Sequence, residues 1–266
     1  MVGVQLRTEI ARACGAGALE AHFQPIVDIP TRLPVGVESL ARWRRTDGTI
    51  VAPADFIPAL EHAGKMRALT ESMMGLSLDA VGEWREAGHE CYVSVNVTAE
   101  DLVDADFAAD IARELIARDI PPTALVVEIT EQSLVGDPTQ AVETLDSLQQ
   151  AGVKIGLDDF GTGFSSLTHL VDLPVDAVKV DQRFVGAMTT SAPHAAIVET
   201  IVDLAHRLDL RVVAEGVEDQ ATWDALSSLR TERAQGFLCA RPTPLERIVD
   251  VLADLEISAH ANACVG

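Results

Sequence analysis

The sequence predicts an α/β fold, a modified (β/α)8 TIM barrel with one antiparallel strand in an N-terminal hairpin. Apolar, β-branched stretches alternate with amphipathic helical patterns, and this alternation is typical of a parallel sheet. About eight such stretches in a chain of 266 residues favour closure into a barrel over an open sheet. The first connection, residues 28–34, is too short for a crossover helix, so the first two strands are expected to form a hairpin.

The elements follow one another along a single predicted domain over residues 17–256, since no linker is long enough to divide the chain. Helical periodicity marks residues 141–150 and 194–208. Residues 1–16 are interpreted as a leading helix, and residues 257–266 as a C-terminal tail that lacks periodicity. Strands are predicted at residues 22–27, 35–43, 91–97, 125–130, 153–157, 177–180, 211–214 and 234–238.

The composition limits the kinds of partner. A formal net charge of -21 argues against a nucleic-acid polymer or an anionic membrane as the main partner. It does not exclude a small anion, because a bound divalent metal can reverse the local potential. No apolar run reaches the roughly 18–20 residues that span a bilayer, and the four cysteines form no paired motif. We therefore expect a cytoplasmic protein with reduced thiols and no membrane partner.

Polar side chains lie within the predicted strands or directly after them. In barrel enzymes, catalytic groups gather at the carboxyl ends of the strands. One rim would therefore collect several carboxylates, an amide and a lysine, and oxygen-rich ligation of this kind suits Mg2+ or Mn2+ better than Zn2+. The residues are Glu38, Asn96, Glu128, Glu131, Asp158, Asp159, Lys179, Glu215 and Gln235.

Simpler interpretations of some of these residues remain open at this point. Two adjacent carboxylates repel each other and usually need a cation or a proton, yet Asp158-Asp159 taken alone is more typical of a solvated turn. Glu38 could form a structural ion pair with Arg42, which lies on the same strand face. Lys179 could be a solvated charge at a strand end or a structural ion-pair partner.

Eight short segments occur in a fixed order over residues 17–256: Gln24-Pro25-Ile26, Glu38-Ser39-Leu40-Ala41-Arg42-Trp43, Ser94-Val95-Asn96, Glu128-Ile129-Thr130-Glu131, Asp158-Asp159-Phe160-Gly161-Thr162-Gly163-Phe164-Ser165-Ser166, Lys179-Val180-Asp181, Ala214-Glu215-Gly216-Val217-Glu218 and Gln235-Gly236. Together they resemble the EAL domain family, bacterial phosphodiesterases that linearise cyclic di-GMP. The chain departs from the family at Ser39, where the signature triplet has alanine, and at Val180, where isoleucine is usual. Ser39 follows a metal-ligand position, so its side chain is expected on the opposite face of the strand.

The resemblance implies two metal sites. A first ion would be bound by Glu38, Asn96, Glu128 and Asp158. A second ion would be shared by Asp158 and Asp159, with Glu215 near it. The implied cofactors are Mg2+ or Mn2+ ions, which neutralise an anionic phosphodiester and supply a nucleophile near neutral pH.

The resemblance also implies roles in catalysis. Lys179 and Glu215 would orient or deprotonate the attacking water, aided by Gln235. Glu131 would support the loop over residues 159–166 without touching metal.

The implied function is hydrolysis of cyclic di-GMP to the linear dinucleotide pGpG, which would lower the level of this second messenger. Gln24 and Arg42 would contact the substrate, and the Arg42 guanidinium suits phosphate oxygens. Two alternatives remain: a catalytically silent module that senses cyclic di-GMP, and a different metal-dependent barrel chemistry such as that of an isomerase or a phosphatase. A homodimer is expected, paired through the loop after Asp159 and the following helix.

Overall fold

The structure, a computed structural model, describes residues 18–134, 137–161 and 173–263. Within these residues ten strands form one sheet. They are β1 Leu19–Asp28, β2 Pro34–Arg44, β3 Ile50–Val51, β4 Tyr92–Asn96, β5 Leu125–Thr130, β6 Lys154–Phe160, β7 Ala177–Val180, β8 Arg211–Ala214, β9 Arg233–Gln235 and β10 Thr243–Pro244. Eight of them close into a barrel in the order β1-β9-β8-β7-β6-β5-β4-β2, and the short strands β3 and β10 were not predicted.

Among the described barrel strands, β1 alone runs against its neighbours. It pairs antiparallel with β2 and β9, whereas the other barrel strands pair in parallel. In the short turn after β1, the Asp28 carboxylate accepts hydrogen bonds from the backbone N–H and the hydroxyl of Thr31 at 2.9 and 2.6 Å. These hydrogen bonds stabilise a tight turn between β1 and β2, and the connection is too short to contain a crossover helix. The predicted barrel with an N-terminal hairpin is confirmed.

The helices of the described residues lie between the strands and after the last one. The predicted helical segments correspond to α5 and α7, and no helix within the described residues is long and apolar enough to span a bilayer. The helices are α1 Pro53–His62, α2 Met66–Glu86, α3 Ala99–Leu102, α4 Phe107–Ala117, α5 Pro138–Gln150, α6 Gln182–Val185, α7 Ala192–Arg207, α8 Gln220–Ser228 and α9 Leu245–Ala263.

The C-terminal helix continues past the predicted end of the domain. We expected residues 257–266 to lack regular structure, and this is wrong for residues 257–263, which belong to α9. Ile248, Leu252 and Ala259 are buried on one face of α9, so the helix is held by packing even where its sequence has little apolar periodicity. The predicted leading helix, residues 1–16, lies outside the described residues, and the domain boundaries stay predictions.

The main hydrophobic core lies between the outer face of the barrel and the surrounding helices. Phe23 on β1 packs edge-to-face on Trp84 of α2, with ring centroids 5.7 Å apart. Burying such a side chain stabilises the fold by roughly 1.5–3 kcal/mol. Ser39 also faces this layer, because its hydroxyl receives a hydrogen bond from Ser77 of α2 at 2.7 Å. Its neighbour Glu38 therefore points into the barrel, as the two-residue period of a strand predicts.

Candidate active site

The predicted polar residues converge inside the barrel. Parallel strands carry their carboxyl ends to one edge of the sheet, and the register places Asn96 beside Glu128 and Gln24 opposite Glu38. The structure brings together residues from every barrel strand or from the segment directly after it: Gln24, Glu38, Asn96, Glu128, Asp158, Asp159, Lys179, Glu215 and Gln235.

Lys179 lies at the centre of this cluster. Only 1% of its surface is exposed. Burial disfavours the charged ammonium, but the four carboxylates outweigh burial and raise the pKa of Lys179 well above its usual value. The lysine is therefore charged at neutral pH and is not a solvated strand end. Its Nζ lies 2.8 Å from Glu215, 3.0 Å from Glu128, 3.4 Å from Glu38 and 3.4 Å from Asp158.

Two amides hold the Glu38 carboxylate. Asn96 Nδ2 donates to Glu38 Oε1 at 3.2 Å, and Gln235 Nε2 donates to Glu38 Oε2 at 2.6 Å. Gln235 Nε2 also donates to Gln24 Oε1 at 3.2 Å, while Gln24 Nε2 donates to the carbonyl of Ala240 at 3.0 Å. Hydrogen bonds of this kind fix the orientation of a ligand carboxylate before any ion binds.

Arg42 lies further along the same strand, nearer the rim. Its guanidinium donates to the Ala41 carbonyl at 2.8 Å, and it is half-buried. Burial lowers the pKa of Arg42, and the negative charge of Glu38 partly opposes this shift. Because the oxygens of Glu38 are engaged by amides, a structural ion pair with Arg42 does not account for the position of Glu38.

A β-bulge in β6 explains how two adjacent carboxylates reach one site. Neighbouring residues of a regular strand point to opposite faces. Between Leu157 and Phe160 the pairing advances by three residues on β6 but by two on β7, so β6 carries one extra residue. Asp159 has φ 55°, a left-handed conformation that aspartate tolerates better than most residues. Its backbone N–H donates to Asp158 Oδ1 at 2.9 Å.

The carboxylates form two groups that could hold a metal ion. In the first group, Glu38, Glu128 and Asp158 each offer an oxygen, and these oxygens lie within 4.8 Å of one another. Asp158, Asp159 and Glu215 form the second group by the same criterion. Asp158 belongs to both groups, and its role between two ions stays a prediction. The ligands are oxygens, which fits the preference of Mg2+ and Mn2+.

Burial raises the pKa of several of these carboxyl groups. The pKa of Glu215 rises to about 7, that of Asp159 to about 6, and that of Glu128 well above its usual value. In each case burial is the largest cause, and the positive charge of Lys179 opposes the shift. A hydrogen bond with Asp181 also raises the pKa of Asp159. A divalent cation would favour the ionised carboxylates, because its positive charge offsets the cost of burying their negative charge.

A cavity of about 290 Å³ opens beside the cluster at the carboxyl end of the barrel. Five residues of the predicted site line this cavity: Gln24, Glu38, Asp158, Glu215 and Gln235.

Phe237 and Gln182 also line the cavity and were not selected from the sequence. The Phe237 ring is 45% exposed, and the Arg241 guanidinium lies 4.0 Å from its centroid. A Cβ at Gly236 would lie 2.2 Å from the Val217 carbonyl oxygen, so glycine allows the close approach that places Phe237 at the cavity. A single phenylalanine has no sequence signature of its own, although it directly follows the quoted Gln-Gly segment.

Glu131 begins the 3-10 turn Glu131–Leu134 directly after β5. Its side chain and residues 162–172 lie outside the described part of the chain. Its support of the loop therefore stays a prediction.

Comparison with known proteins gives matches over most of the chain. The model of the EAL domain family matches residues 7–242. A Pseudomonas aeruginosa protein named cyclic di-GMP phosphodiesterase PA2567 is 34% identical over 248 residues, which cover 93% of this chain and 42% of that protein. The chain thus spans less than half the length of the curated relatives it matches.

Two solved structures have similar folds. The first, titled PaMucR phosphodiesterase in complex with c-di-GMP, has a TM-score of 0.86 and 33% identity, covering 92% of this chain and 99% of that one. The EAL domain of Mycobacterium smegmatis DcpA has a TM-score of 0.77 and 30% identity, covering 89% of this chain and 98% of that one. The chain belongs to the EAL domain family.

Proposed function

We propose that this chain is a metal-dependent phosphodiesterase that hydrolyses cyclic di-GMP to linear pGpG. The observation that carries the proposal is the set of carboxylates, amides and one lysine that converges inside the barrel, five of whose members line the cavity at its carboxyl end. The names of some relatives support the substrate, since PA2567 is named a cyclic di-GMP phosphodiesterase and a similar structure is titled as a cyclic di-GMP complex.

The two carboxylate groups are proposed to hold two Mg2+ or Mn2+ ions. Asn96 would add an amide oxygen to the first group after rotation of its side chain, since its Nδ2 now donates to Glu38. When bound, such ions neutralise the phosphodiester and provide a nucleophilic water near neutral pH.

The remaining roles in catalysis and substrate binding are assigned to four side chains of the chain. Glu215 is the proposed base, because its carboxylate belongs to the second metal group, lines the cavity and lies 2.8 Å from Lys179 Nζ. Lys179 stays charged, so we assign it to orientation and charge compensation and not to proton abstraction. Arg42 is proposed to bind phosphate, and the exposed ring of Phe237 offers a surface on which a guanine base can stack.

The direct test is incubation of purified protein with cyclic di-GMP and Mg2+ or Mn2+, followed by chromatography of the nucleotides. We expect pGpG to appear with metal and to be absent with excess EDTA. Tight binding with recovery of intact cyclic di-GMP would identify the chain as a sensor instead. Turnover of other phosphate esters in preference to cyclic di-GMP would assign a different barrel chemistry.

The homodimer and the cytoplasmic location also stay proposals. The loop expected to carry the dimer contact includes residues outside the described part of the chain. Size-exclusion chromatography with light scattering tests the dimer, and a mass of one chain at micromolar concentration would contradict it.

A further inference from the structure

The Lys179 ammonium lies among the oxygens that would bind the first metal ion. Its Nζ is 3.0 Å from an oxygen of Glu128 and 3.4 Å from an oxygen of both Glu38 and Asp158, which together form the first metal group. A Mg2+ or Mn2+ ion held by these carboxylates would lie about 2.0–2.2 Å from one oxygen of each. The ion and the ammonium would then lie within a few ångströms of each other, and charges of the same sign repel strongly in a buried site.

Both oxygens of the Glu38 carboxylate already contact donors from the chain. One oxygen accepts from Asn96, and the other accepts from Gln235 and lies near Lys179. Side chains of the cluster therefore supply hydrogen-bond donors to the Glu38 carboxylate, and a buried carboxylate needs such donors to be stable.

We infer that Lys179 is an internal counter-ion that competes with the first metal ion, so that metal binding is an exchange and not a simple addition. The ammonium would keep one carboxylate contact after the exchange, because its shortest contact, 2.8 Å, is with Glu215, which lies outside the first metal group. On metal binding the ammonium withdraws from Glu38, Glu128 and Asp158 and keeps Glu215. The inference rests on the metal centre of the proposed function but not on its substrate.

The exchange predicts an effect opposite in sign to that of a purely supporting lysine. If Lys179 only held the carboxylates in place, its removal would weaken metal binding or leave it unchanged. If Lys179 competes with the ion, its removal strengthens metal binding, because the ion no longer has to displace a positive charge.

Isothermal titration of metal-free protein with Mn2+ at about pH 8, where free carboxylates are ionised, separates these outcomes. We expect Lys179→Met, which keeps the length of the side chain, to bind Mn2+ about tenfold more tightly than the wild type, or better. Lys65→Met is the matched control, since Lys65 is exposed at the start of α2, and it should leave the affinity unchanged.

Equal or weaker Mn2+ binding by Lys179→Met would overturn the inference and leave the proposed function intact. Absence of Mn2+ binding by both the wild type and the variant would overturn the inference together with the metal centre of the proposed function.

A second measurement uses the wild-type chain and does not depend on the folding of Lys179→Met. The chain has three lysines, Lys65, Lys154 and Lys179, so selective 13C labelling at the lysine Cε gives one signal for each. Lys65→Met and Lys154→Met each remove one signal and thereby assign the third. We expect Mg2+ to shift the Lys179 signal and to leave the other two in place. An unshifted Lys179 signal in a sample that binds Mg2+ would contradict the exchange.

Discussion

Charged side chains are paired differently at the two ends of the barrel. At the carboxyl end a single ammonium, Lys179, is shared by four carboxylates. At the amino end three basic side chains each have a partner of their own: Lys154 with Asp176 at 2.7 Å, His206 with Glu232 at 3.0 Å, and Arg233 with the Tyr92 hydroxyl at 3.0 Å.

The amino end also contains a cavity, of about 570 Å³, so cavity size does not distinguish the two ends. This cavity also reaches Glu128 and Lys179 of the cluster. Two acidic residues at the amino end support the backbone: Asp176 accepts from the N–H of Ile155 at 2.9 Å, and Glu232 accepts from the N–H of Val212 at 3.0 Å. Balanced pairs with backbone contacts stabilise strand ends. At the carboxyl end the carboxylates outnumber the single ammonium, and this excess of negative charge requires a proton or a metal ion, which is why the site is proposed there.

The largest difference in activity is expected between two variants, each of which lacks one carboxylate at one end of the barrel. Glu38→Ala should lower kcat/KM for cyclic di-GMP by ~10²-fold or more, because a metal ligand is lost. Glu232→Ala, at the amino end, should keep the activity within about threefold while lowering stability through its lost hydrogen bonds. Steady-state assays of both variants test this, and near-normal turnover of Glu38→Ala would refute its assignment as a ligand.

The next effect concerns the pH dependence of stability. Burial raises the pKa of Glu215 to about 7 from 4.5, so between these pH values the folded chain binds more protons than the unfolded chain. The contribution of Glu215 to the free energy of unfolding is therefore present at low pH and is lost as the pH rises through about 7.

From Glu215 alone we expect metal-free protein to lose roughly 2 kcal/mol of stability between about pH 5 and about pH 8. Urea unfolding in EDTA at both pH values measures this. Glu215→Gln should reduce the difference, and an undiminished difference in that variant would assign it to another group.

A smaller effect is expected at the bulge. Asp159→Asn removes one charge from the second metal group but keeps a residue type that adopts positive φ readily. We expect kcat to fall by about tenfold, with the melting temperature unchanged within ~2 °C. A larger loss of stability than of activity would mean that the Asp159 carboxylate holds the bulge and does not serve the metal.

The smallest effect is expected at the paired amino end. Lys154→Met breaks the ion pair with Asp176, but Lys154 is half exposed, so the loss should be at most about 1 kcal/mol. Activity should match the wild type. A change in kcat would show that the amino end communicates with the metal site and would contradict the division between the two ends.

Much of the fold could be predicted because strands and helices have different periods. The predicted strands at residues 125–130, 177–180 and 211–214 match β5, β7 and β8 residue for residue. The hairpin followed from the length of one connection. The C-terminal end of α9 could not be predicted in the same way, because Ala259 is buried by packing and carries little apolar signal of its own.

The sequence by itself determined which residues meet, because the carboxyl ends of parallel strands share one edge and the motifs occur in order. The tertiary structure decided how they meet. One extra residue in β6 turns both Asp158 and Asp159 toward the site, and four strands converge on Lys179 to keep a buried lysine charged. Neither could be read from the chain, since the pKa and the direction of a side chain depend on neighbours that only folding brings within a few ångströms.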